Sequence, residues 1–259
     1  MTNKTRALML NGGKAVGTFF ELGGANAVEC LGLAGLDFII IDTEHGPFDV
    51  ESAADFIRAA SLHGLTPFVR VKDATRASVL KMLDVGAEGL IVPCINTVDE
   101  VKALVEYAKY FPLGRRGVAN GRGSGWGQAD FAKGGLTNYF EICNREQLLI
   151  PQCETVGCLE HIEEIAAIDG VDGIFVGPYD LSTALGKPGQ FDTDEFKAAV
   201  ERVLAACKAA GKFATTFSGS AAAARAHFKQ GFGAAAISMD AIHYINAHRA
   251  LAEEARRED

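Results

Sequence analysis

Eight short runs of mostly apolar residues recur along the chain, and most of them are separated by a longer amphipathic segment. Several runs are almost continuously apolar, which is typical of parallel strands that are buried on both faces. The segments between them are rich in Ala, Leu, Glu and Lys, and several end in glycine, which indicates helix ends. The predicted strands are 15–20, 37–42, 66–71, 88–93, 148–153, 172–176, 212–217 and 233–238.

Eight alternating units in 259 residues predict one α/β domain, residues 1–259, folded as a (β/α)₈ barrel. An open doubly wound sheet is the alternative. It usually has fewer evenly spaced units, and no dinucleotide-binding fingerprint opens this chain. The glycine-rich stretch 112–135 predicts a long loop, either a mobile lid or an intersubunit contact.

Residues 241–257 predict an extra terminal helix, with Ile242, Ile245 and Leu251 roughly on one side. Such a helix could cap the barrel or reach a neighbouring subunit.

Composition narrows the class of protein. The net charge of −8 argues against nucleic acid and anionic membranes as partners, since both favour a basic surface. The six cysteines include no C-x-x-C pair, which indicates reduced thiols rather than a disulfide framework or a zinc site. There is no apolar segment long enough for a signal peptide or a membrane span. We therefore expect a soluble, cytoplasmic protein.

Polar and ionisable residues follow several of the predicted strands, where barrel enzymes place their chemistry. They are Asp42, Glu44 and His45 after the second strand, Arg70 in the third, Gln152 and Glu154 at the fifth, and Pro178 and Asp180 after the sixth. Each one alone is explained equally well by helix capping or by an ion pair at the end of the barrel. Their coincidence at one rim predicts an active site.

Residue chemistry indicates their roles. Glu154 and Asp180 come from neighbouring strands and suit a divalent cation such as Mg²⁺, Mn²⁺ or Co²⁺. His45 with Asp42 suits a general base whose tautomer a carboxylate holds. Arg70 suits a carboxylate or another planar oxyanion. Together, a metal, an arginine and a histidine can generate and stabilise an enolate.

Four segments carry a family resemblance: IIIDTEHGPFD, FVRV, PQCET and VDGIFVGPYDLS. They resemble those of the class II pyruvate aldolases of the HpcH/HpaI family, typified by 4-hydroxy-2-oxoheptanedioate aldolase. The resemblance implies a barrel of the phosphoenolpyruvate/pyruvate-binding type. It also implies a metal-dependent lyase that reversibly adds the pyruvate enolate to an aldehyde, giving a 4-hydroxy-2-oxo acid. It further implies a homo-oligomer, in many members a hexamer of dimers that exchange their last helix.

Carried over by position, the resemblance makes Glu154 and Asp180 the metal ligands. Gln152 supports the bound pyruvate, and backbone N–H groups after Pro178, near Tyr179 and Asp180, hold its carboxylate. In the same way, Arg70 binds the keto oxygen, and His45 with Asp42 forms the acid/base pair.

The chain departs from the family pattern at two places. Tyr179 stands where the family often has alanine, and we expect its bulk to narrow or reshape the carboxylate pocket. The loop 112–135 also differs in composition, and Arg122, Ser124 and Trp126 are candidates for contacts with the second substrate.

Two other functions remain open from the sequence. A citrate-lyase-like or malyl-CoA-lyase-like enzyme would share the fold and the two-acid metal site, but it needs a basic face for the nucleotide, and no suitable basic run is present. A non-catalytic binding protein on the same barrel is less favoured, because every expected acid, base and metal position is filled.

Overall fold

The structure, a computed structural model, describes residues 1–257. Its strands form a closed, parallel barrel in chain order, in which each strand pairs with the next and the eighth pairs with the first. This confirms the predicted (β/α)₈ barrel and excludes the open sheet. The last two residues of the predicted domain lie outside the described range. The strands are β1 (Ala15–Phe20), β2 (Phe38–Asp42), β3 (Thr66–Arg70), β4 (Gly89–Val92), β5 (Leu148–Cys153), β6 (Gly173–Val176), β7 (Phe213–Ser218) and β8 (Ala234–Met239).

Helices surround the barrel, and the first of them lies across the N-terminal ends of the strands, where its Met9 packs against the interior. They are α1 (Lys4–Leu10), α2 (Ala25–Leu33), α3 (Val50–Leu62), α4 (Arg76–Asp84), α5 (Val98–Ala108), α6 (Leu136–Glu146), α7 (Val156–Glu160), α8 (Ile162–Ala167), α9 (Pro178–Ala184), α10 (Asp194–Ala210), α11 (Ala221–Gln230) and α12 (Asp240–Ala255). Local chemistry sets many of their ends. Thr97 and Glu100 form a reciprocal capping box at the start of α5. Gly211 ends α10 with a φ of +67°, a left-handed conformation that favours glycine.

Two apolar layers hold the barrel together. An outer layer lies between the sheet and the helices and includes Ile39, Ile57 and Val69. An inner layer fills the barrel with Phe19, Phe68 and other large side chains. Because the interior is filled, a substrate can be held only at one end of the barrel. The C-terminal ends of the strands form that end, the mouth of the barrel.

The glycine-rich stretch is largely irregular, as predicted. It connects α5 to α6 and contains two short 3₁₀ helices, Arg122–Ser124 and Asp130–Ala132. The Nη1 atom of Arg122 donates to the carbonyl oxygen of Val85, 2.7 Å away, at the C-terminal end of α4. The loop therefore lies at the end of the barrel opposite the mouth.

The terminal helix is present, but its apolar residues do not share one side. At about 100° per residue, Leu251 lies nearly opposite Ile242, so the predicted one-sided pattern is wrong. Ile242, Tyr244, Ile245 and Leu251 are each between 43% and 61% exposed. Asp240 is the buried residue of α12, and its carboxylate accepts the N–H groups of Glu21 and Leu22. The helix is thus anchored at its first residue and open along the rest. No helix within residues 1–257 is long and apolar enough to span a bilayer.

We propose that a second copy of the chain covers α12, because a helix with apolar residues around its circumference is stable when it is buried. Light scattering is expected to give a multiple of the chain mass for the wild type. The double substitution Ile245→Glu and Leu251→Glu should shift the mass toward the monomer. Asn246→Glu, which adds a charge at a polar position of the same helix, is the control and should leave the mass unchanged. A monomeric wild type would contradict the proposal.

Candidate active site

The pairing of β2 with β3 places Asp42 directly opposite Arg70 at the mouth. The Nε atom of Arg70 donates to Oδ1 of Asp42 at 3.0 Å, and Nη2 donates to Oδ2 at 2.6 Å. Asp42 is fully buried, and Arg70 is 9% exposed. A two-pronged, charge-assisted pair of this kind holds the guanidinium in one orientation.

Two further groups constrain Arg70. Its Nε atom lies 3.3 Å from Oε2 of Glu44, and its guanidinium lies 4.8 Å from the centre of the Phe19 ring. Burial works against the charge of Arg70, but the hydrogen bond and the charge of Asp42 raise its pKa above the ordinary value. Arg70 therefore presents a fixed positive charge to the mouth.

The expected pairing of Asp42 with the imidazole of His45 is not the contact that forms. Asp42 is engaged by Arg70, and its Oδ1 atom also accepts the backbone N–H groups of Glu44 and His45. The imidazole is 69% exposed, and its Nε2 atom lies 4.0 Å from Oε2 of Glu44. The strand register determines this outcome, because it aligns Asp42 with Arg70 and leaves Glu44 as the carboxylate beside His45.

Glu154 is the most enclosed of the predicted metal ligands, at 4% exposed. Its Oε1 atom accepts the backbone N–H of Cys94 at 2.7 Å, and its Oε2 atom contacts Nε2 of Gln152. Cys94 has a φ of +58°, an uncommon conformation for a residue with a side chain. Burial raises the pKa of the Glu154 carboxyl and the charge of Asp180 adds to this, whereas the hydrogen bonds from Cys94 and Gln152 oppose it.

The surroundings of Glu154 fit a divalent cation. Within residues 1–257, the buried Oε1 atom of Gln152 has no hydrogen-bond partner. Gly177 leaves space beside the carboxylate, since a Cβ there would lie 2.8 Å from Oε2 of Glu154 and from Nε2 of Gln152. Asp180, in the first turn of α9, is exposed and close enough to raise the pKa of Glu154. Two carboxylates and an amide oxygen are the donors that hard cations prefer.

The described part of the chain contains no group of three or more His, Cys, Asp or Glu side chains arranged to hold a metal. A cation at Glu154 and Asp180 would therefore take its remaining oxygens from water or substrate. This is the open coordination that a catalytic ion needs.

The other predicted substrate-binding residues lie at the start of α9. Gly177 is the N-cap and Pro178 is the first helical residue. A first helical turn leaves N–H groups without helical partners, here those of Tyr179 and Asp180. These donors lie next to Asp180 and can hold an anionic group there.

Sequence reasoning gave no role to Glu21, which follows β1. Its N–H donates to Asp240, and its side chain is half-buried at the mouth. Burial raises the pKa of the Glu21 carboxyl, and the charges of Asp42 and Asp240 raise it further. The pKa of Glu44 is also raised by burial, which outweighs the lowering by Arg70. Acidic groups thus outnumber Arg70 around this site, which favours a bound cation.

The three loop candidates for substrate contact do not approach this site within one chain. Arg122 and Ser124 lie in the first 3₁₀ helix at the opposite end of the barrel, and Trp126 is 64% exposed there. Their role as contacts to a second substrate would need a neighbouring subunit.

Comparison with known proteins gives consistent matches. A model of the HpcH/HpaI aldolase/citrate lyase family matches residues 16–247. A hydroxypyruvate/pyruvate aldolase of Cupriavidus necator is 32% identical over 245 residues, covering 94% of this chain and 88% of that protein. A 2-keto-3-deoxy-L-rhamnonate aldolase of Klebsiella pneumoniae is 28% identical over 249 residues, covering 95% and 91%. The solved structure of an HpcH/HpaI aldolase/citrate lyase family protein from Burkholderia cenocepacia has a TM-score of 0.89 and 34% identity, covering 99% of this chain and 100% of that one.

The raised pKa of Glu154 predicts a pH-dependent gain in stability from Glu154→Gln in metal-free protein. The pKa of this carboxyl is higher in the folded state than its ordinary value of 4.5. Its contribution to stability is therefore fully present when the pH is below 4.5, and it is lost as the pH rises through the raised pKa. Urea unfolding with chelator present is expected to show that the free energy of unfolding of the variant increases relative to that of the wild type as the pH rises above about 4.5.

Glu163→Gln is the matched control. The hydrogen bond from Arg202 lowers the pKa of Glu163, so this carboxyl is ionised in both the folded and the unfolded chain above about pH 5. The difference in stability between Glu163→Gln and the wild type should therefore stay constant as the pH rises above that point. If the difference in free energy of unfolding between Glu154→Gln and the wild type does not change with pH, Glu154 has the same pKa in the folded and the unfolded chain.

Proposed function

Because this chain belongs to the HpcH/HpaI aldolase/citrate lyase family, we propose that it is a divalent-metal-dependent aldolase acting on pyruvate and an aldehyde. The product of the addition is a 4-hydroxy-2-oxo acid, and the reaction is reversible. The observation that carries the proposal is that Arg70, a fixed cation, and Glu154, a buried carboxylate, meet at one end of the barrel. Beside Glu154 lie Asp180 and the amide oxygen of Gln152, which has no partner among the described residues.

The reaction requires three changes of bonding. Carbon 3 of pyruvate loses a proton to a base, which gives the enolate. That carbon then forms a bond to the aldehyde carbon, and the former aldehyde oxygen gains a proton. The reverse sequence cleaves the product to pyruvate and aldehyde. Each direction passes through the same enolate, whose stabilisation is the main task of the site.

Arg70 stabilises the enolate oxygen in this proposal. Asp42 and Glu44 engage its Nε atom and one N–H of Nη2, which leaves the N–H groups of Nη1 and the second N–H of Nη2 for a substrate oxygen. Because the buried pair with Asp42 already orients the guanidinium, little reorganisation accompanies the growth of negative charge. Arg70 thus acts as a fixed donor rather than as a mobile charge.

Glu154 and Asp180 would hold the cation, with Mg²⁺, Mn²⁺ and Co²⁺ as the candidates. When bound, such an ion supplies Lewis-acid stabilisation of the keto oxygen of pyruvate. Gln152 positions Glu154 through its Nε2 atom, and its buried Oε1 atom has no hydrogen-bond partner among the described residues. The first N–H groups of α9 would bind the pyruvate carboxylate.

We propose His45 as the base, with Glu44 rather than Asp42 as its carboxylate partner. The imidazole is exposed at the rim, so it can exchange protons with water and with carbon 3 of pyruvate. The carboxylate Oε2 of Glu44 lies 4.0 Å from Nε2 of His45, on the same rim. Asp42 contributes indirectly, by holding Arg70.

An acyl-CoA lyase is the alternative function within the same family description. It would need cations near the mouth for the nucleotide phosphates. The ionisable groups around Arg70 are instead largely acidic: Glu21, Asp42, Glu44, Glu154 and Asp180. The charge distribution at the mouth therefore favours a small anion held by one arginine and a metal ion.

Removal of metal tests the proposal directly. Treatment with chelator is expected to abolish both oxaloacetate decarboxylation and the addition of pyruvate to glycolaldehyde, and at least one of Mg²⁺, Mn²⁺ and Co²⁺ should restore both. Glu154→Gln should not recover with any metal, whereas Glu163→Gln, a change at an exposed carboxylate, should behave as wild type. Full activity after chelation would reject a metal-dependent mechanism. If metal binds again but neither activity returns, pyruvate is not the substrate, and acyl-CoA substrates are the next to test.

The partner of His45 can be identified by proton exchange at carbon 3 of pyruvate, followed by NMR in D₂O. His45→Asn is expected to slow exchange by about 10²-fold to 10⁴-fold. Glu44→Gln should slow it less, and should lose the part of its effect that acts through His45 in the His45→Asn background, keeping only the part that acts through Arg70. Asp42→Asn should act independently of His45, by releasing Arg70. If Asp42→Asn, and not Glu44→Gln, no longer slows proton exchange in the His45→Asn background, Asp42 is the partner of His45.

A further inference from the structure

The mouth of the barrel has two chemically different halves. The ends of β2, β3 and β5 and the start of α9 supply the charged groups described above. The opposite half, where Glu21 and Asp240 also lie, carries apolar side chains from β1, β7, the end of β8 and the segment around α9. They are Phe19, Phe217, Met239, Tyr179 and Phe191.

Four of these side chains form a continuous row of rings. The rings of Phe19 and Phe217 are 6.1 Å apart, and those of Phe217 and Tyr179 are 5.9 Å apart at an angle of 65°. Tyr179 meets Phe191 edge to face, at 5.1 Å and 88°. Such geometry is favourable for aromatic pairs. The row begins under the guanidinium of Arg70, which lies over Phe19, so it leads away from the proposed position of the enolate.

The far end of the row is held in place yet open to solvent. Phe191 packs at 5.4 Å against Phe196, a buried residue of α10, which anchors the segment between α9 and α10. Tyr179 contacts Phe191 and Phe217 but remains 54% exposed. A ring that is fixed by its neighbours and still open can contact a ligand at little cost in side-chain entropy.

We propose that Tyr179, Phe217 and Phe191 form the subsite for the aldehyde, and that this subsite favours aldehydes with an aromatic or extended apolar group over short hydroxylated ones. The inference rests on the proposed aldolase function. Pyruvate is small and anionic, and the charged half accounts for all of its polar groups. The row of rings is therefore left for the second reactant. Against these rings a hydroxylated chain would lose hydrogen bonds to water, and within the row only the phenol of Tyr179 could replace one of them.

Tyr179 is the residue that most determines this selectivity, because it is the exposed ring next to Asp180 in the chain. An alanine at this position would leave Phe217 and Phe191 without a ring between them. Phenylalanine would preserve the row and remove only the hydroxyl group. These two substitutions therefore separate the effect of the ring from that of the phenol.

The experiment uses the metal-loaded protein and two matched probes, phenylacetaldehyde and glycolaldehyde, which differ by a phenyl group in place of a hydroxyl. Exchange of the carbon-3 protons of pyruvate in D₂O, without aldehyde, first reports the enolate half-reaction. The selectivity is then the ratio of kcat/KM for phenylacetaldehyde to that for glycolaldehyde. Comparison of this ratio between variants cancels the intrinsic reactivity of the two aldehydes.

Tyr179→Ala is expected to lower the ratio by roughly tenfold, and Phe191→Ala by a few-fold, whereas Tyr179→Phe should keep it within about twofold of the wild type. Phe111→Ala is the matched control, since that side chain is 75% exposed and follows α5 at the other end of the barrel. Its ratio should equal that of the wild type.

The two proposals fail in different ways. Absence of proton exchange with every metal would overturn the proposed function, and the subsite with it. Normal exchange together with an unchanged ratio in Tyr179→Ala would overturn the subsite alone. A loss of selectivity in Tyr179→Phe as large as that in Tyr179→Ala would also overturn it, because the phenol rather than the ring would then select the aldehyde.

Discussion

The buried ion pair between Asp42 and Arg70 is the contact on which the rest of the mouth depends. It joins two neighbouring strands at their C-terminal ends, and each partner satisfies a charge that would otherwise be costly to bury. Its geometry directs Arg70 toward the site, engages the N–H groups of the turn that carries Glu44 and His45, and places the guanidinium over Phe19. The charged and apolar halves of the mouth meet at this residue.

Negative charge exceeds positive charge around that pair, and this excess has a physical cost. Burial raises the pKa values of Glu21, Glu44 and Glu154, so the folded protein holds these carboxylates less readily as anions than the unfolded chain does. A divalent cation beside Glu154 would offset the cost for the carboxylates nearest to it. We infer that stability is reduced in metal-free protein in exchange for a site that binds metal, a compromise common at functional sites.

Much of the fold follows from local patterns. Apolar runs with glycine-terminated helices between them locate all eight strands to within a residue or two, because burial on both faces and helix termination depend on neighbours in sequence. The same patterns locate the terminal helix, but the prediction that its apolar residues share one face is wrong. The nine positions between Ile242 and Leu251 correspond to two and a half helical turns, so the two side chains lie almost opposite each other.

The sequence by itself determined most of the polar residues at the mouth, though not Glu21, because position at a strand end is a local property. Only the tertiary structure decided which of them touch. Asp42 and Arg70 are 28 positions apart, and the register of β2 against β3 pairs them, which leaves Glu44 beside His45. Barrel closure likewise brings Phe19 to Phe217, and α9 adds Tyr179 to the row. Contacts between distant residues depend on register and closure, and no short stretch of sequence specifies these.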